Sequence, residues 1–166
     1  MPVTAALPIS ERIAAVLFER LQLLTAGLSD YSKVYEVVRP TRLGGFTPRH
    51  LQIMLTAGDK QRVPELDYPG NPPANAYQQT WNIRCHVMPS EKDPTPIDTY
   101  IETIAADVVR AVCGTDEYWH TFNDLAIDAT WESHEAVQAD GGLDGVNVPI
   151  AVLYRVAEND PFNPRE

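Results

Sequence analysis

Residues able to move protons or bind metals are few and scattered along this chain. Asp128 and Glu132 stand four apart in an alternating stretch, which puts both carboxylates on one face of a strand, where a pair can divide acid and base roles. Acids in such a stretch equally form the solvated face of an edge region. His50, His86, His120 and His134 never recur at the i, i+4 spacing of helical metal ligands, and no C-x-x-C pair occurs. Cys85 and His86 are adjacent, so on a strand they point to opposite faces; the expectation is a buried free thiol and a surface histidine. The nucleophile turn G-x-S-x-G and the phosphate loops G-x-x-x-x-G-K-[ST] and G-x-G-x-x-G do not occur, and Gly44-Gly45 falls between strands. The run Asp140-Gly-Gly-Leu-Asp144-Gly145 lacks the alternating oxygen ligands and closing Glu of a calcium loop, and reads as a hairpin turn. No catalytic residue, metal or cofactor is expected, and the chain does not read as an enzyme.

The elements that would carry these residues follow from hydrophobic period. Ile13, Leu17, Leu21 and Leu24, widened by Val16 and Leu23, predict a first helix with Ser10 as N-cap after Pro8 and Gly27 as its stop. Val34 to Arg39 reads as a strand ended by Pro40, Thr41 to Pro48 as a loop, and His50 to Ala57 as a strand with Leu51, Ile53 and Leu55 on one face. Residues 58–76, with Pro64, Pro69, Gly70, Pro72 and Pro73, have no regular pattern and are expected to project as a loop. Tyr77 to Met88 alternates most clearly, with Tyr77, Gln79, Trp81, Ile83, Cys85 and Val87 on one face, so these two strands predict an antiparallel hairpin.

A second helix opens at Thr95, with Pro96 at its first position, Asp98 as a capping partner, and Ile97, Ile101, Ile104, Val108 and Val112 as its stripe; Gly114 ends it. Trp119, Phe122 and Leu125 suggest a short helical turn or packed loop, and Ile127 to Ser133 a strand with Ala129 and Trp131 inward. Ala139 to Gly145 reads as a turn, and Val146 to Val156 as the closing strand, with Pro149 calling for an edge or a bulge. Residues 157–166 read as an extended C-terminal tail. The order α-β-β-β-α-β-β predicts a single α+β domain over 1–166: a mostly antiparallel sheet of about five strands with two helices packed on one face.

Charge is unevenly distributed over the 166 residues. The net charge is −10, which argues against a sequence-independent grip on nucleic-acid phosphates. Residues 1–66 carry 8 basic and 6 acidic side chains, and residues 67–166 carry 5 and 17. Between Arg110 and Arg155 there is no Lys or Arg, while Asp116, Glu117, Asp124, Asp128, Glu132, Glu135, Asp140 and Asp144 all fall there. No apolar run reaches the roughly 20 residues of a membrane span. Met1 to Pro8 lacks the charged and apolar regions of a signal peptide, and two cysteines make no disulfide framework; a reducing cytoplasm is the expectation.

Several local patterns, in this order, resemble a known family. Ile13-Ala-Ala-Val-Leu leads into Val34-Tyr-Glu-Val-Val-Arg39 and Leu51-Gln-Ile-Met-Leu55. A long loop and Trp81-Asn-Ile-Arg-Cys-His-Val87 follow, and the chain closes with Val148-Pro-Ile-Ala-Val-Leu-Tyr-Arg155 and Asn159-Asp-Pro-Phe162. Over nearly its whole length the chain is similar to the tail terminator (minor tail protein U-like, tail completion) proteins of long-tailed bacteriophages. The resemblance rests on strand patterns and the ending, not on a chemical signature.

The resemblance implies a structural virion protein of the tail, present in host cytoplasm during assembly. It implies a homohexameric ring that caps the head-proximal end of the tail tube, stops tube polymerisation and offers the surface for head docking. The implied partners are other copies of the chain, the tail tube protein and the head–tail connector or neck protein; genomic DNA passes through unbound, and no membrane is involved. A ring needs heterologous contacts, which the uneven charge suits. The acidic residues from Asp116 to Asp144 are candidates for an acidic lumen that repels phosphates over roughly 8 Å at physiological salt; a solubilising outer surface is the alternative. Arg62, Tyr68, Pro72, Pro73 and Tyr77 are candidates for an inter-subunit loop ordered on assembly, against a mobile tip without function. The rival readings are another neck, head-completion or tube ring protein, and a small-ligand-binding or enzymatic α+β domain with a cleft beside Trp81, Trp119 and Trp131. Polar residues converging near those tryptophans would favour the last.

Overall fold

Apolar residues at helical spacing need a surface to cover, and here a sheet supplies it. The computed structural model describes residues 7–40, 49–88, 93–114, 116–139 and 143–164. Helix α1 (Ile9–Leu21) begins at Pro8, whose carbonyl accepts from Arg12 N–H at 3.0 Å. Ser10 therefore lies inside the helix and does not cap it; Ile9, fully buried, extends the apolar stripe one step earlier than its spacing suggested. A 3-10 turn (Gln22–Thr25) continues the stripe to Leu24, and Gly27 leaves it at φ +64°. Helix α2 (Ile97–Cys113) likewise has Pro96 as its N-cap, while Thr95 turns its N–H and hydroxyl to Asp93.

Seven strands form one sheet: β1 (Glu36–Val38), β2 (Gln52–Arg62), β3 (Ala74–Val87), β4 (Asp128–Thr130), β5 (Glu135–Ala139), β6 (Leu143–Ala157) and β7 (Asp160–Pro164). The order is β1-β2-β3-β6, with β5, β4 and β7 laid in turn along the outer edge of β6. Only β1 on β2 is parallel. The single α+β domain and its element order match the sequence reading. The two extra strands are β5, which lies between the strand expected to Ser133 and the turn expected from Ala139, and β7, which lies in the expected tail.

One face of this sheet is the core. Ile53 and Leu55 of β2, Trp81, Ile83, Cys85 and Val87 of β3, and Val146, Val148, Ile150, Val152 and Tyr154 of β6 pack in one cluster with Ile13 and Leu17 of α1 and Ile104 and Val108 of α2. Alternation along each strand sends Asn82, Arg84 and His86 to the face without helices. Arg20 ties the helices together: its guanidinium donates to Val112 O at 3.3 Å and Trp119 O at 2.8 Å, and lies 4.8 Å from the Phe122 ring centroid.

Three expectations change. First, Pro149 lies in β6, which β3 flanks along nearly its whole length and the outer strands only in parts, so the expected edge is a local gap in the outer pairing. Ile127 N–H donates to Leu153 O, so odd-numbered residues of β6 turn their backbone polar groups toward the outer strands. The Pro149 nitrogen thus faces the interval between Glu135↔Asn147 and Thr130↔Ala151, where no outer residue pairs and no N–H is needed. Second, Gly145 belongs to β6 opposite His86, where a Cβ would come within 2.6 Å of Cys85 O. Third, β2 and β3 continue well into the span read as a loop, leaving only residues 63–73 between them. Thr41 to Pro48 and residues 140–142 lie outside the described residues.

Candidate functional site

Three features outside the core could meet a partner. The first is the acidic edge. Asp128 on β4, Glu132 in the connection and Glu135 at the head of β5 run along the outer side of β6, and Asp116, Glu117 and Asp124 flank the neighbouring 3-10 turn (Trp119–Thr121). All six are exposed, and none forms an ion pair among the described residues. Asp116 accepts from Tyr118 N–H at 2.9 Å, and Glu135 from Asn147 Nδ2 at 3.0 Å. Strand β4 stops at Thr130, so Asp128 and Glu132 do not share a strand face as the alternation suggested. Asp140 and the side chain of Asp144 lie outside what the structure describes.

The second feature is the tip of the β2–β3 hairpin. Arg62 donates to Asp67 at 2.6 Å and to Asn75 at 3.0 Å, and Asp67 also accepts from Ala76 N–H at 2.7 Å. The Asp67 carboxyl is held below its usual range, first by that backbone donor and then by Arg62. Tyr68 and Ala74 exchange two backbone hydrogen bonds of 2.9 Å, and Pro64–Leu66 forms a 3-10 turn. The tip thus carries its own hydrogen-bond network within the chain. It nevertheless presents Leu66 and Tyr68 to solvent, at 39% and 47% exposure, with Pro72 and Pro73 also exposed. Tyr77 instead turns inward, against Tyr154 and beneath Lys60.

The third feature, which the sequence reading did not locate, is a groove of about 410 Å³ between α2 and residues 131–134. Ala105, Ala106, Val109 and Cys113 form one wall, and Trp131 the other. Trp131 is 37% exposed and does not enter the core as the alternation suggested, because β4 has already ended. Glu102, Arg110 and His134 stand at the rim; His134 Nε2 lies 3.1 Å from Glu102 Oε1. Burial raises the Cys113 thiol to about 11, Arg20 opposing. The signal that could have found this groove was a second stripe on α2, at residues 102, 105, 106, 109, 110 and 113.

The remaining chemistry-bearing residues do not converge. His50 Nδ1 accepts from Met88 N–H at 3.1 Å, and His120 stands beside Trp119. His86 is half-buried, its Nε2 unpartnered among the described residues; burial, then Arg84, lowers its pKa. Cys85 is buried on the opposite side, its thiol pushed up to about 12 by burial. Among the described residues no three His, Cys, Asp or Glu side chains gather as a metal site, and no helix is long and apolar enough to cross a membrane. Of the three tryptophans, Trp81 is core, Trp119 is half-buried against Phe122, and Trp131 borders the groove. No protein-family model matches the chain, and no curated protein matches it in sequence.

Proposed function

We propose that this chain is a tail terminator of a long-tailed bacteriophage: a ring-forming structural protein that caps the tube and lets DNA pass through. The observation that carries this reading is the acidic edge, six exposed carboxylates of which none forms an ion pair among the described residues, Arg20 near Asp116 being the cation that faces them. A wall of that kind repels phosphates within roughly 8 Å at physiological salt and so suits a channel that DNA must cross without sticking. At the opposite edge of the sheet, beside β1, charges are balanced in pairs: Arg39 with Glu11 at 3.2 Å and Arg49 with Glu36 at 3.7 Å. Unlike edges favour head-to-tail contacts, the kind that close into rings. The α+β architecture, with two helices on one sheet face, fits what the resemblance implies.

Electron microscopy of the purified protein, alone and with tube subunits, tests the proposal. The expected result is rings, and tubes that stop growing once capped. A chain that never self-associates and leaves tube growth unchanged would sink it. A chain that itself polymerises into long tubes would instead mark a tube subunit.

One observation favours a ligand-binding domain as the second reading: Glu102 and His134 meet at 3.1 Å in a groove that Trp131 also lines, with Arg110 at its rim held by Asp30, so polar groups and an aromatic share one concave surface. Under that reading, small amphipathic molecules quench Trp131 fluorescence in the isolated chain, and Trp131→Phe removes the response.

A further inference from the structure

A sheet with helices on one face leaves the other to water or to a partner, and strand register says which partner fits. Neither α1 nor α2 covers the face that carries Asn82, Arg84 and His86. Strand β6 runs along its middle, with Pro149, Ala151 and Leu153 half-buried there. Register rows cross this face from β3 to the outer strands: Arg84 and Glu135 flank Asn147, Thr80 and Thr130 flank Ala151, and Gln78 and Asp128 flank Leu153. Residues paired across a ladder share a face, so each row points one way. We infer that this face packs against the same face of a second copy, about a twofold axis that runs along β6.

Charge selects that occupant. The axis exchanges the two ends of every row, so Arg84 of each copy meets Glu135 of the other. Both side chains are exposed, and neither forms an ion pair among the described residues. Packed sheets lie about 10 Å apart, a gap that an arginine and a glutamate span together. In the other rows Gln78 meets Asp128 and Thr80 meets Thr130, with no like charges opposed. Along the axis Pro149, Ala151 and Leu153 meet their own counterparts and supply an apolar centre, while the strands of the two sheets stay aligned. On β3, β6, β4 and β5 the charged side chains of this face are Arg84, Arg155, Asp128 and Glu135, two of each sign on a chain of net charge −10. Arg155, at the far end, donates to Leu66 O at 2.8 Å, and Glu36, at the β1 margin, is paired with Arg49.

The area also suffices. Four strands about 4.8 Å apart, over ten residue steps of about 3.3 Å, project about 600 Å². Side-chain relief raises this toward the roughly 800 Å² per partner of a stable interface. The contact goes beyond the ring reading, because it is isologous, closes at two copies and uses the sheet face where the ring uses edges. Of the acidic edge it engages only Glu135 and Asp128.

Sedimentation equilibrium on charge variants tests it. The native chain should form a dimer that Arg84→Glu or Glu135→Arg each weakens about tenfold, and the two together should restore it to within about threefold by exchanging both signs. Both positions are exposed, so the fold tolerates the changes. In Ala151→Cys, with Cys113→Ser to remove the half-buried thiol and Cys85 silent in the core, a short bis-maleimide should yield a covalent dimer and nothing larger. A ladder of larger products, or a double variant no stronger than the single ones, would overturn the contact. Rings whose thiols at position 151 stay unlinked would overturn it and leave the ring reading standing. Linked dimers that leave tube growth unchanged would support it and count against the ring. A chain that stays monomeric at every concentration would overturn both.

Discussion

Asp107 puts a carboxylate in the apolar stripe of α2 at 4% exposure. It accepts from Tyr35 Oη at 2.6 Å and from Ser32 N–H at 3.1 and 3.2 Å. This one side chain pins the segment leading into β1 against α2. Burial and this hydrogen bond push the Tyr35 phenol far above its ordinary range, so it stays a donor. Asp107→Ala should cost about 3 kcal/mol, because bonds to a charged acceptor are lost and a buried hydroxyl is orphaned; urea denaturation measures this, and Asp107→Asn should cost less. Asp93 makes a prediction of another kind. Bonds from the Thr95 hydroxyl, Tyr100 and the Thr95 N–H bring its carboxyl down to about 2 from 3.8. A carboxyl lowered on folding contributes stability that is complete above its unfolded value and lost as pH falls through its folded one. The difference in urea midpoint between the native chain and Asp93→Asn should therefore be full at neutral pH and shrink between about pH 4 and pH 2. A constant difference would show that this carboxylate is not the cause.

At the scale of elements, both helices start at prolines, with no side-chain cap. Pro8 and Pro96 sit at ψ 151° and 144°, extended backbone that delivers the next residue into the helix and leaves a carbonyl to accept its first bond. The hairpin outlasts its apolar alternation because β2 shifts register between Ala57 and Lys60 and then resumes pairing with β3. Polar residues can hold a ladder whose side chains face water, so pattern alone ended the strand too soon. Pro149 tests the orientation of β6. With its nitrogen facing the unpaired interval, Pro149→Ala gains no ladder bond and loosens the unfolded chain, so it should lower stability by up to about 1 kcal/mol. A gain of about that size would mean that the new N–H donates to β3.

For the whole molecule, charge is sorted by position in the sheet. Acidic side chains line the side where β4 and β5 follow β6, whereas Arg39 and Arg49 lie by β1. The combined variant Asp128→Asn, Glu132→Gln, Glu135→Gln removes three exposed carboxylates that have no ion pair among the described residues. It should fold with little change in melting temperature. If these residues line a DNA passage, it should also slow DNA ejection from assembled particles; unchanged ejection with normal DNA retention would count against a lumen and favour a solubilising surface.

By itself the amino-acid sequence determined the α+β class, the order of helices and main strands, and which residues of β3 and β6 face the core. Those follow from periods of 3.6 and 2, which need only neighbours along the chain. It also carried the acidic block from Asp116 to Asp144, because composition is local. The partner of each edge was decided only in three dimensions. Strand β5 is too polar and short to show alternation and exists through its ladder with β6. Trp131 faces a groove because β4 ends one residue earlier, and the groove itself joins α2 to a segment some twenty residues away. Asp107 looked like an error in an apolar stripe until Ser32 and Tyr35 were brought to it from more than seventy residues away. Hydrogen bonds and concave surfaces join residues distant along the chain, and no local pattern encodes which ones will meet.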